Sequence, residues 1–176
     1  MDFTTERLTL RPITLADMEP LHTLYRDPVL MRYIIGRPRT REETRECLER
    51  HAADFAAHGI GLYLTYLTAT GALVGRCGLS TLERPDGLAG GLAWMLREAW
   101  WGQGLATEFA RAFVPYAFAR APFARLVAHA DHRNEASINV MRKLGMRYVG
   151  REAWAPELYE VEYEITRAMF DAGEAG

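Results

Sequence analysis

The segment from residue 91 to residue 130 constrains the fold of this chain more than any other feature. It contains an apolar strand-like run, GLAWML at 91–96, a helical stripe of apolar residues at 104–120, and a second apolar run, RLVAHA at 125–130. A strand, a helix and a strand in this order form a right-handed crossover, which places the two strands parallel in one sheet. The sequence therefore predicts one parallel strand pair joined by a helix.

The other strands are predicted to run antiparallel. LYLTYLT at 62–68 and LVGRCGLST at 73–81 precede the crossover, and the turn signals ATG and ERPDG separate these runs. Further strands are predicted at 7–13, 147–152 and 158–166, and helices at 15–26 (capped by Thr14), 41–58 (with a capping box of Thr40 and Glu43) and 134–144. We therefore expect an α+β fold, with a mixed, mostly antiparallel sheet of about seven strands and about four flanking helices.

Length and charge set the broad class. A chain of 176 residues suffices for one domain, which we expect to span 1–170 with a tail at 171–176. The net charge of −2, from 21 basic and 23 acidic side chains, gives no general attraction for nucleic acid or an anionic membrane. With no signal-peptide pattern or long apolar run, we expect a cytoplasmic location. Cys47 and Cys77 have neither disulfide nor metal-site spacing, so no metal is expected.

The stretch WWGQGLATE, at 100–108, has two interpretations. The first backbone N–H groups of a helix are unpaired, glycine lets an anion approach the backbone, and the helix dipole favours negative charge there, so the stretch suits a pyrophosphate. The alternative is a tight turn that only starts a helix. A phosphate-binding GxxxxGK[ST] loop is absent, and the third glycine of a dinucleotide-binding fold is missing.

Three blocks of sequence carry a resemblance to a known family. They are TERLTLRPITLADMEPLHTLYRDPVLMRYI, LAWMLREAWWGQGLATEFARAFVPYAF and LVAHADHRNEASINVMRKLGMRYVGRE, and the resemblance runs over nearly the whole length of the chain. The chain resembles the GCN5-related N-acetyltransferase (GNAT) superfamily, and more closely the branch of the ribosomal-protein-alanine N-acetyltransferases. The resemblance implies acetyl-coenzyme A, held where two adjacent parallel strands splay apart.

The resemblance also implies which residues bind the cofactor. Backbone groups of one strand would contact the pantetheine amides, the glycine loop would hold the pyrophosphate, and the short helix at 134–144 would contact the pantetheine arm and the sulfur. Trp101 stands where many relatives have Arg or Gln. Helix capping by Asn134 and Ser137, and a solvated surface position for Lys143, are the alternatives. The implied cofactor-binding set is Met95, Leu96, Gly102, Gln103, Gly104, Leu105, Ala106, Thr107, Asn134, Ser137 and Lys143.

The implied reaction is direct attack of an amine on the thioester in a ternary complex. The catalytic candidates are Ser137 for the leaving thiolate and His129, Glu152 or Glu157 for the base. Relatives often carry a glutamate base at the position of Gly91 or a tyrosine acid at that of Met141, and this chain has neither. An amine of depressed pKa could instead lose its proton to water.

The acceptor is expected to be an amine, either a protein N-terminus or a small molecule such as an aminoglycoside or polyamine. The resemblance implies a cleft wall that includes Tyr33, Ile35, Trp154 and Tyr159, and glutamates at 98, 152, 157, 160 and 162 favour a cationic acceptor. Two other interpretations stay open: a coenzyme A-binding module without catalysis, and an enzyme with a different nucleotide cofactor. A homodimer is also expected, because dimers are common among the proteins that the chain resembles.

Overall fold

A computed structural model describes residues 2–85, 87–155 and 157–173 of the chain. The side chain of Trp154, one of the predicted wall residues, and positions 174–176 of the predicted tail lie outside the described residues. The strands are β1 (Phe3–Thr4), β2 (Leu8–Pro12), β3 (Leu62–Leu67), β4 (Leu73–Arg84), β5 (Gly87–Leu96), β6 (Arg125–Asp131), β7 (Arg147–Ala155) and β8 (Leu158–Thr166). The helices are α1 (Met18–Tyr25), α2 (Pro28–Met31), α3 (Arg41–His58), α4 (Leu105–Arg120), α5 (Glu135–Lys143) and α6 (Arg167–Asp171).

The eight strands form one sheet in the order β1-β2-β3-β4-β5-β6-β8-β7. Within the described part of the chain, only β5 and β6 pair in parallel, and the other neighbours pair antiparallel. The predicted α+β class and the parallel pair are confirmed. The structure adds one strand, β1, and two helices, α2 and α6, to the predicted set. These elements have two, four and five residues, too few for a periodic pattern to show in the sequence.

The start of α1 corrects one prediction. Thr14 does not cap this helix, because the N-cap residue is Asp17. Both the backbone N–H and the hydroxyl of Thr14 donate to Asp17 Oδ2 at 2.8 Å, and Arg11 Nη2 lies 2.5 Å from Asp17 Oδ1. Burial of this carboxylate opposes its ionisation, but the hydrogen bonds from Arg11 and Thr14 hold the pKa of Asp17 below its ordinary value. The polar turn therefore delays the helix by three residues.

The second predicted helix has the predicted boundaries. Thr40 and Glu43 form the capping box at the start of α3, and Gly59 ends the helix in the left-handed conformation with φ 68°. Both signals act within a few residues of the helix ends. Local sequence was therefore sufficient to place this helix.

The strand β5 contributes to the apolar core on both faces of the sheet. Its Leu92 and Leu96 pack with α4, whose buried residues include Phe109 and Phe113. Its Met95 packs on the opposite face with residues of α1, α2 and α3. Because both layers hold β5 in place, its edge toward β6 is a fixed surface. Among the described residues, no helix is both long and apolar enough to cross a lipid bilayer.

The pairing between β5 and β6 is short. It joins Ala89 to Arg125, Gly90 to Leu126 and Gly91 to Val127, and the described pairs end there. Beyond this point β5 continues to Leu96 and β6 to Asp131. Two neighbouring parallel strands thus separate into a gap that closes at Gly91, and each side of the gap carries backbone groups without a strand partner.

Substitution of Gly75 tests how tightly β4 packs against β5. A Cβ atom at Gly75 would lie 2.0 Å from the carbonyl oxygen of Met95, so we expect Gly75→Ala to push the strands apart and lower the free energy of unfolding by about 1–3 kcal/mol. Gly150→Ala in β7 is the matched control, because a Cβ there has no described heavy atom within 4 Å. Urea denaturation of both variants measures the difference, and equal stabilities would contradict the close packing.

Candidate active site

The loop before α4 presents six consecutive backbone N–H groups without a described acceptor. Trp101 N–H bonds to the Glu98 carbonyl and Glu108 N–H to the Gly104 carbonyl, but the N–H groups of residues 102–107 bond to no described residue. Gly102 and Gly104 have φ of 72° and 78°, and a Cβ at Gly102 would have nothing within 4 Å. The loop is therefore an open cradle of donors at a helix N-terminus, which suits an anion.

Two residues of the turn between β1 and β2 hold this cradle, and neither was predicted from the sequence. Glu108, in the first turn of α4, accepts hydrogen bonds from the hydroxyl of Thr5 and from the backbone N–H and Nε of Arg7, the last at 2.6 Å. Burial works against ionisation of this carboxyl, yet these donors lower the pKa of Glu108. Arg7 Nη1 also donates to the Gln103 carbonyl at 3.1 Å, so a cation lies beside the cradle.

The backbone direction of β5 corrects one expected cofactor contact. Arg97 N–H bonds to the Val74 carbonyl of β4, and Ala124 N–H bonds to the Leu88 carbonyl on the other side of β5. Since backbone groups alternate along a strand, even-numbered residues face the gap and odd-numbered residues face β4. Met95 therefore directs its N–H and C=O toward β4. The gap edge is formed by Leu92, Trp94 and Leu96, and of these only Leu96 was predicted from the sequence as a cofactor contact.

The backbone carbonyl at the end of this edge accepts a hydrogen bond from a tryptophan side chain. Trp101 Nε1 donates to the Leu96 carbonyl at 2.6 Å, which ties the glycine loop to the last residue of β5. Gln103 Nε2 in the same loop donates to the Ala99 carbonyl at 3.0 Å. The loop conformation is thus fixed by side chains that leave its own N–H groups free.

The N-terminus of α5 lies across the gap from β5. Asn134 is the N-cap, and its side-chain oxygen accepts from Ser137 N–H at 3.2 Å, so the amide NH₂ group of Asn134 remains available as a donor. Ser137 Oγ lies 3.1 Å from Trp94 Nε1. At the other end of α5, Lys143 is exposed and its carbonyl oxygen is 3.4 Å from Arg111 Nη2 of α4. The structure brings Asn134 and Ser137 to the gap and places Lys143 farther along the helix.

A cavity of about 570 Å³ lies at the end of β6, between β7, β8 and the loop after α2. Arg32, in its wall, lies 4.6 Å from the Tyr33 ring centroid and 5.7 Å from that of Trp101 beside the glycine loop. Tyr33 and Ile35, two of the predicted wall residues, line this cavity. Tyr159, a third, stacks on His132 at 4.2 Å and is not part of the lining. The lining residues are Arg32, Tyr33, Ile34, Ile35, Gly36, Asp131, Arg133, Glu152, Leu158 and Glu160.

Three glutamates of β8 share one face of the sheet. Glu164 is paired with Arg125 and Arg147. Glu162 lies 2.6 Å from His129 Nε2 and 3.7 Å from an arginine of β4. The third, Glu160, reaches the cavity, where both of its cross-strand neighbours, Asp131 on β6 and Glu152 on β7, are carboxylates. The charges of Glu162 and Glu164 are therefore balanced by basic partners, whereas Glu160 lies in the cavity.

The cavity contains two acidic side chains directly opposite one another. Glu152 and Glu160 are cross-strand neighbours on β7 and β8, and neither forms an ion pair with a described side chain. Asp131, also in the lining, is bound by Arg133, whose hydrogen bonds lower the pKa of Asp131. The unpaired negative charge of the cavity therefore resides on Glu152 and Glu160.

The three candidate bases have different surroundings. Glu152 lines the cavity, whereas His129 is an exposed residue of β6 that pairs with Glu162. Glu157 is exposed in the turn after β7, with φ 62°, and is outside the cavity lining. Glu152 is consequently the candidate that an acceptor in the cavity would contact.

Comparison with known proteins identifies the family of the chain. The family described as acetyltransferase (GNAT) domain matches residues 7–147 of the chain.

The chain belongs to the GNAT acetyltransferases.

An uncharacterized protein YkkB of Bacillus subtilis is 31% identical over 145 residues, which cover 82% of this chain and 84% of YkkB. A GNAT-family acetyltransferase structure from Bacillus anthracis superimposes with a TM-score of 0.76 at 26% identity, over 94% of this chain and 98% of that one. Two structures that contain coenzyme A share the fold. They are the ribosomal L7/L12 α-N-protein acetyltransferase RimL (TM-score 0.76, 19% identity, 94% and 98% covered) and the aminoglycoside acetyltransferase AAC(6′)-Ib (0.75, 20%, 96% and 99%).

Acetyl-coenzyme A is the cosubstrate of this GNAT acetyltransferase, and the residues around the gap and the cradle suit its binding. The free N–H groups of 102–107 and the open space at Gly102 suit the pyrophosphate, with Arg7 as an adjacent cation. The unpaired edge of β5 suits the amides of the pantetheine arm.

Gly91 and Met141 are the two positions where a catalytic glutamate or tyrosine was considered from the sequence, and neither side chain can act as an acid or base. Gly91 is the last residue of β5 that pairs with β6, and a Cβ there would lie 3.1 Å from the Leu82 side chain. Met141 is fully buried among the core residues beneath α5. Cys77 is also buried, which raises the pKa of its thiol to about 11 and keeps it protonated at neutral pH.

Substitution of Gly104 tests the cradle. We expect Gly104→Glu to weaken coenzyme A binding at least about tenfold, because bulk and negative charge enter the phosphate site. Gly71→Glu is the control: Gly71 has a similar φ of 70° and open surroundings, but it lies in the β3–β4 turn. Isothermal titration calorimetry with coenzyme A compares the two, and equal affinities would remove the cradle as the phosphate site.

Proposed function

We propose that this protein transfers the acetyl group of acetyl-coenzyme A to a cationic primary amine bound in the cavity at the end of β6. The observation that carries the proposal is the unpaired carboxylate pair, Glu152 and Glu160, in that cavity. Like charges directly opposite on neighbouring strands repel, and a bound ammonium group relieves this repulsion. A protein N-terminus, an aminoglycoside and a polyamine all carry such a group.

The acceptor must lose a proton before it attacks. The ammonium group donates its proton to the Glu152 carboxylate, which leaves a neutral amine whose lone pair forms the new bond to the acetyl carbon. A gap-facing backbone N–H of β5, at Leu92 or Trp94, donates to the oxyanion that develops on the carbonyl oxygen. The bond to sulfur then breaks, and Ser137 donates a hydrogen bond to the departing thiolate. The excess proton of the attacking nitrogen passes through solvent to this thiolate, which gives the amide and the free thiol of coenzyme A. When bound, acetyl-coenzyme A supplies the thioester that this sequence of steps requires.

Direct attack agrees with the environment of the cysteines. Cys77 is fully buried as a protonated thiol, and Cys47 is buried on α3 with its sulfur 3.1 Å from Arg50 Nη2. Neither cysteine lines the cavity. An amine that attacks the thioester in a ternary complex needs no acetyl-enzyme, so the proposal uses no covalent intermediate.

Several finer points stay predictions from the sequence. They are the assignment to the ribosomal-protein-alanine branch, the cytoplasmic location, the homodimer, the absence of nucleic-acid and membrane partners, and the roles of His129, Glu157 and Lys143. RimL acts on a ribosomal protein and AAC(6′)-Ib is named for aminoglycosides, so protein and small-molecule acceptors both belong in a test.

An acceptor screen tests the proposed function. Release of free coenzyme A thiol is followed with ribosomal-protein N-terminal peptides, aminoglycosides and polyamines, with N-acetylated forms of the same amines as controls. We expect turnover with at least one cationic amine. Tight coenzyme A binding without turnover would favour a binding module, and calorimetric binding of NAD or FMN but not coenzyme A would favour a different cofactor.

Substitutions of the two glutamates test the acceptor site. We expect Glu160→Gln to raise the KM for the cationic amine about tenfold or more, because a hydrogen bond to a charged group is worth about 1.5–3 kcal/mol. Glu152→Gln should lower kcat about 100-fold through loss of the base. Glu46→Gln, at an exposed position of α3, is the control. Steady-state kinetics with unchanged coenzyme A affinity would fit these roles, and wild-type constants in both variants would contradict them.

A further inference from the structure

We propose that Trp94 is a positioning residue that fixes the hydroxyl of Ser137 and turns its proton into the gap, toward the sulfur of the cofactor. This role rests on the proposed function, because it concerns the thiolate that acetyl transfer releases. The contact that carries it is the 3.1 Å hydrogen bond between Trp94 Nε1 and Ser137 Oγ.

The two partners of this hydrogen bond lie on opposite sides of the gap. Trp94 is on the part of β5 that has separated from β6, three residues past the last pair at Gly91. Ser137 is in the first turn of α5, which begins four residues after β6 ends at Asp131. The bond therefore connects the two sides of the gap. The cradle of 102–107 lies beyond the end of β5, so a pantetheine arm that runs from the cradle toward Gly91 passes Trp94 and Ser137.

The hydrogen-bond capacities of the two side chains determine the direction of the bond. An indole nitrogen donates and cannot accept, so Ser137 Oγ is the acceptor. The backbone N–H of Ser137 is already bound to the side-chain oxygen of Asn134. A hydroxyl has one proton and two lone pairs, so acceptance from the indole leaves the proton of Ser137 available for another acceptor.

The packing of Trp94 makes this restraint stiff. Trp94 is half-buried and packs against the apolar core beneath α4 and α5, so the indole ring cannot easily follow a rotating hydroxyl. A free serine hydroxyl rotates among several acceptors. Here the indole N–H occupies one lone pair of the oxygen and selects the rotamers that point the proton away from the ring. A thiolate in the gap then receives an oriented donor, which favours the charged form of the sulfur.

The acidity of the thiol of bound coenzyme A provides a test that does not require an acceptor. The ultraviolet absorbance of the thiolate is titrated with pH in the complex, against the same protein with desulfo-coenzyme A as the blank. In the unaltered protein the bound thiol should be more acidic than free coenzyme A. Ser137→Ala should reduce that acidity about tenfold, the usual effect of a hydrogen bond to a charged group. Trp94→Phe, which keeps a ring but removes the donor, should reduce it in the same direction.

A double-mutant cycle separates positioning from packing. If Trp94 acts through Ser137, Trp94→Phe changes the thiol acidity in the Ser137 background and has no further effect in Ser137→Ala. Ser137→Thr, which retains a hydroxyl, should restore most of the acidity. Trp100→Phe is the matched control, because Trp100 is also half-buried against the core and its indole nitrogen has no described hydrogen bond. Thermal melting of each variant confirms that the fold is retained.

The outcomes are distinct. An unchanged thiol acidity in Trp94→Phe would overturn the positioning role, and so would an equal change in the Ser137 and Ser137→Ala backgrounds, which would indicate packing alone. A Trp94→Phe protein that melts far below the unaltered one would also overturn the positioning role, since the indole would then serve mainly to stabilise the fold. Failure of the unaltered protein to bind coenzyme A would overturn the proposed function itself, an outcome visible before any variant is made.

Discussion

The short parallel pairing between β5 and β6 is the constraint on which the rest of the site depends. Three residue pairs hold the strands together, and beyond Gly91 and Val127 they diverge. A sheet normally satisfies its backbone groups internally, so an unpaired edge in its centre is costly unless another molecule completes it. Core packing on both faces of β5 prevents the strands from closing. The gap is therefore built into the fold before any cofactor arrives.

The cradle and the cavity have opposite electrostatic character. Toward α4 the backbone N–H groups of residues 102–107 and the Arg7 guanidinium favour negative charge. In the cavity, Glu152 and Glu160 favour positive charge. This arrangement orients an anionic donor and a cationic acceptor toward each other without a specific recognition element for either. It also explains how a chain with a net charge of −2 can bind a polyanionic cofactor, because local backbone donors outweigh the overall charge.

Much of the fold could be predicted because its signals are local. The capping box of α3, its terminal Gly59 and the crossover through α4 each lie within short segments. The position of Met95 shows where local reasoning fails. The apolar pattern located β5, but the direction in which each backbone group of β5 points follows from hydrogen bonds that this segment makes with Val74 and Ala124. Arg7 and Trp94 were missed for the same reason, since their partners lie 96 and 43 residues away in sequence. The pairing of Glu152 with Glu160 likewise required the β7–β8 register.

The bonds from Thr5 and Arg7 to Glu108 join the turn between β1 and β2, at one edge of the sheet, to the first turn of α4. Edge strands are usually the segments that open first in local unfolding. Here such opening would release Glu108 and, through the Gln103 carbonyl, the loop that holds the phosphates. By thermodynamic linkage, a ligand that orders the loop must also slow amide exchange in β1 and β2. The sheet edge farthest from the acceptor cavity is thus energetically part of the cofactor site.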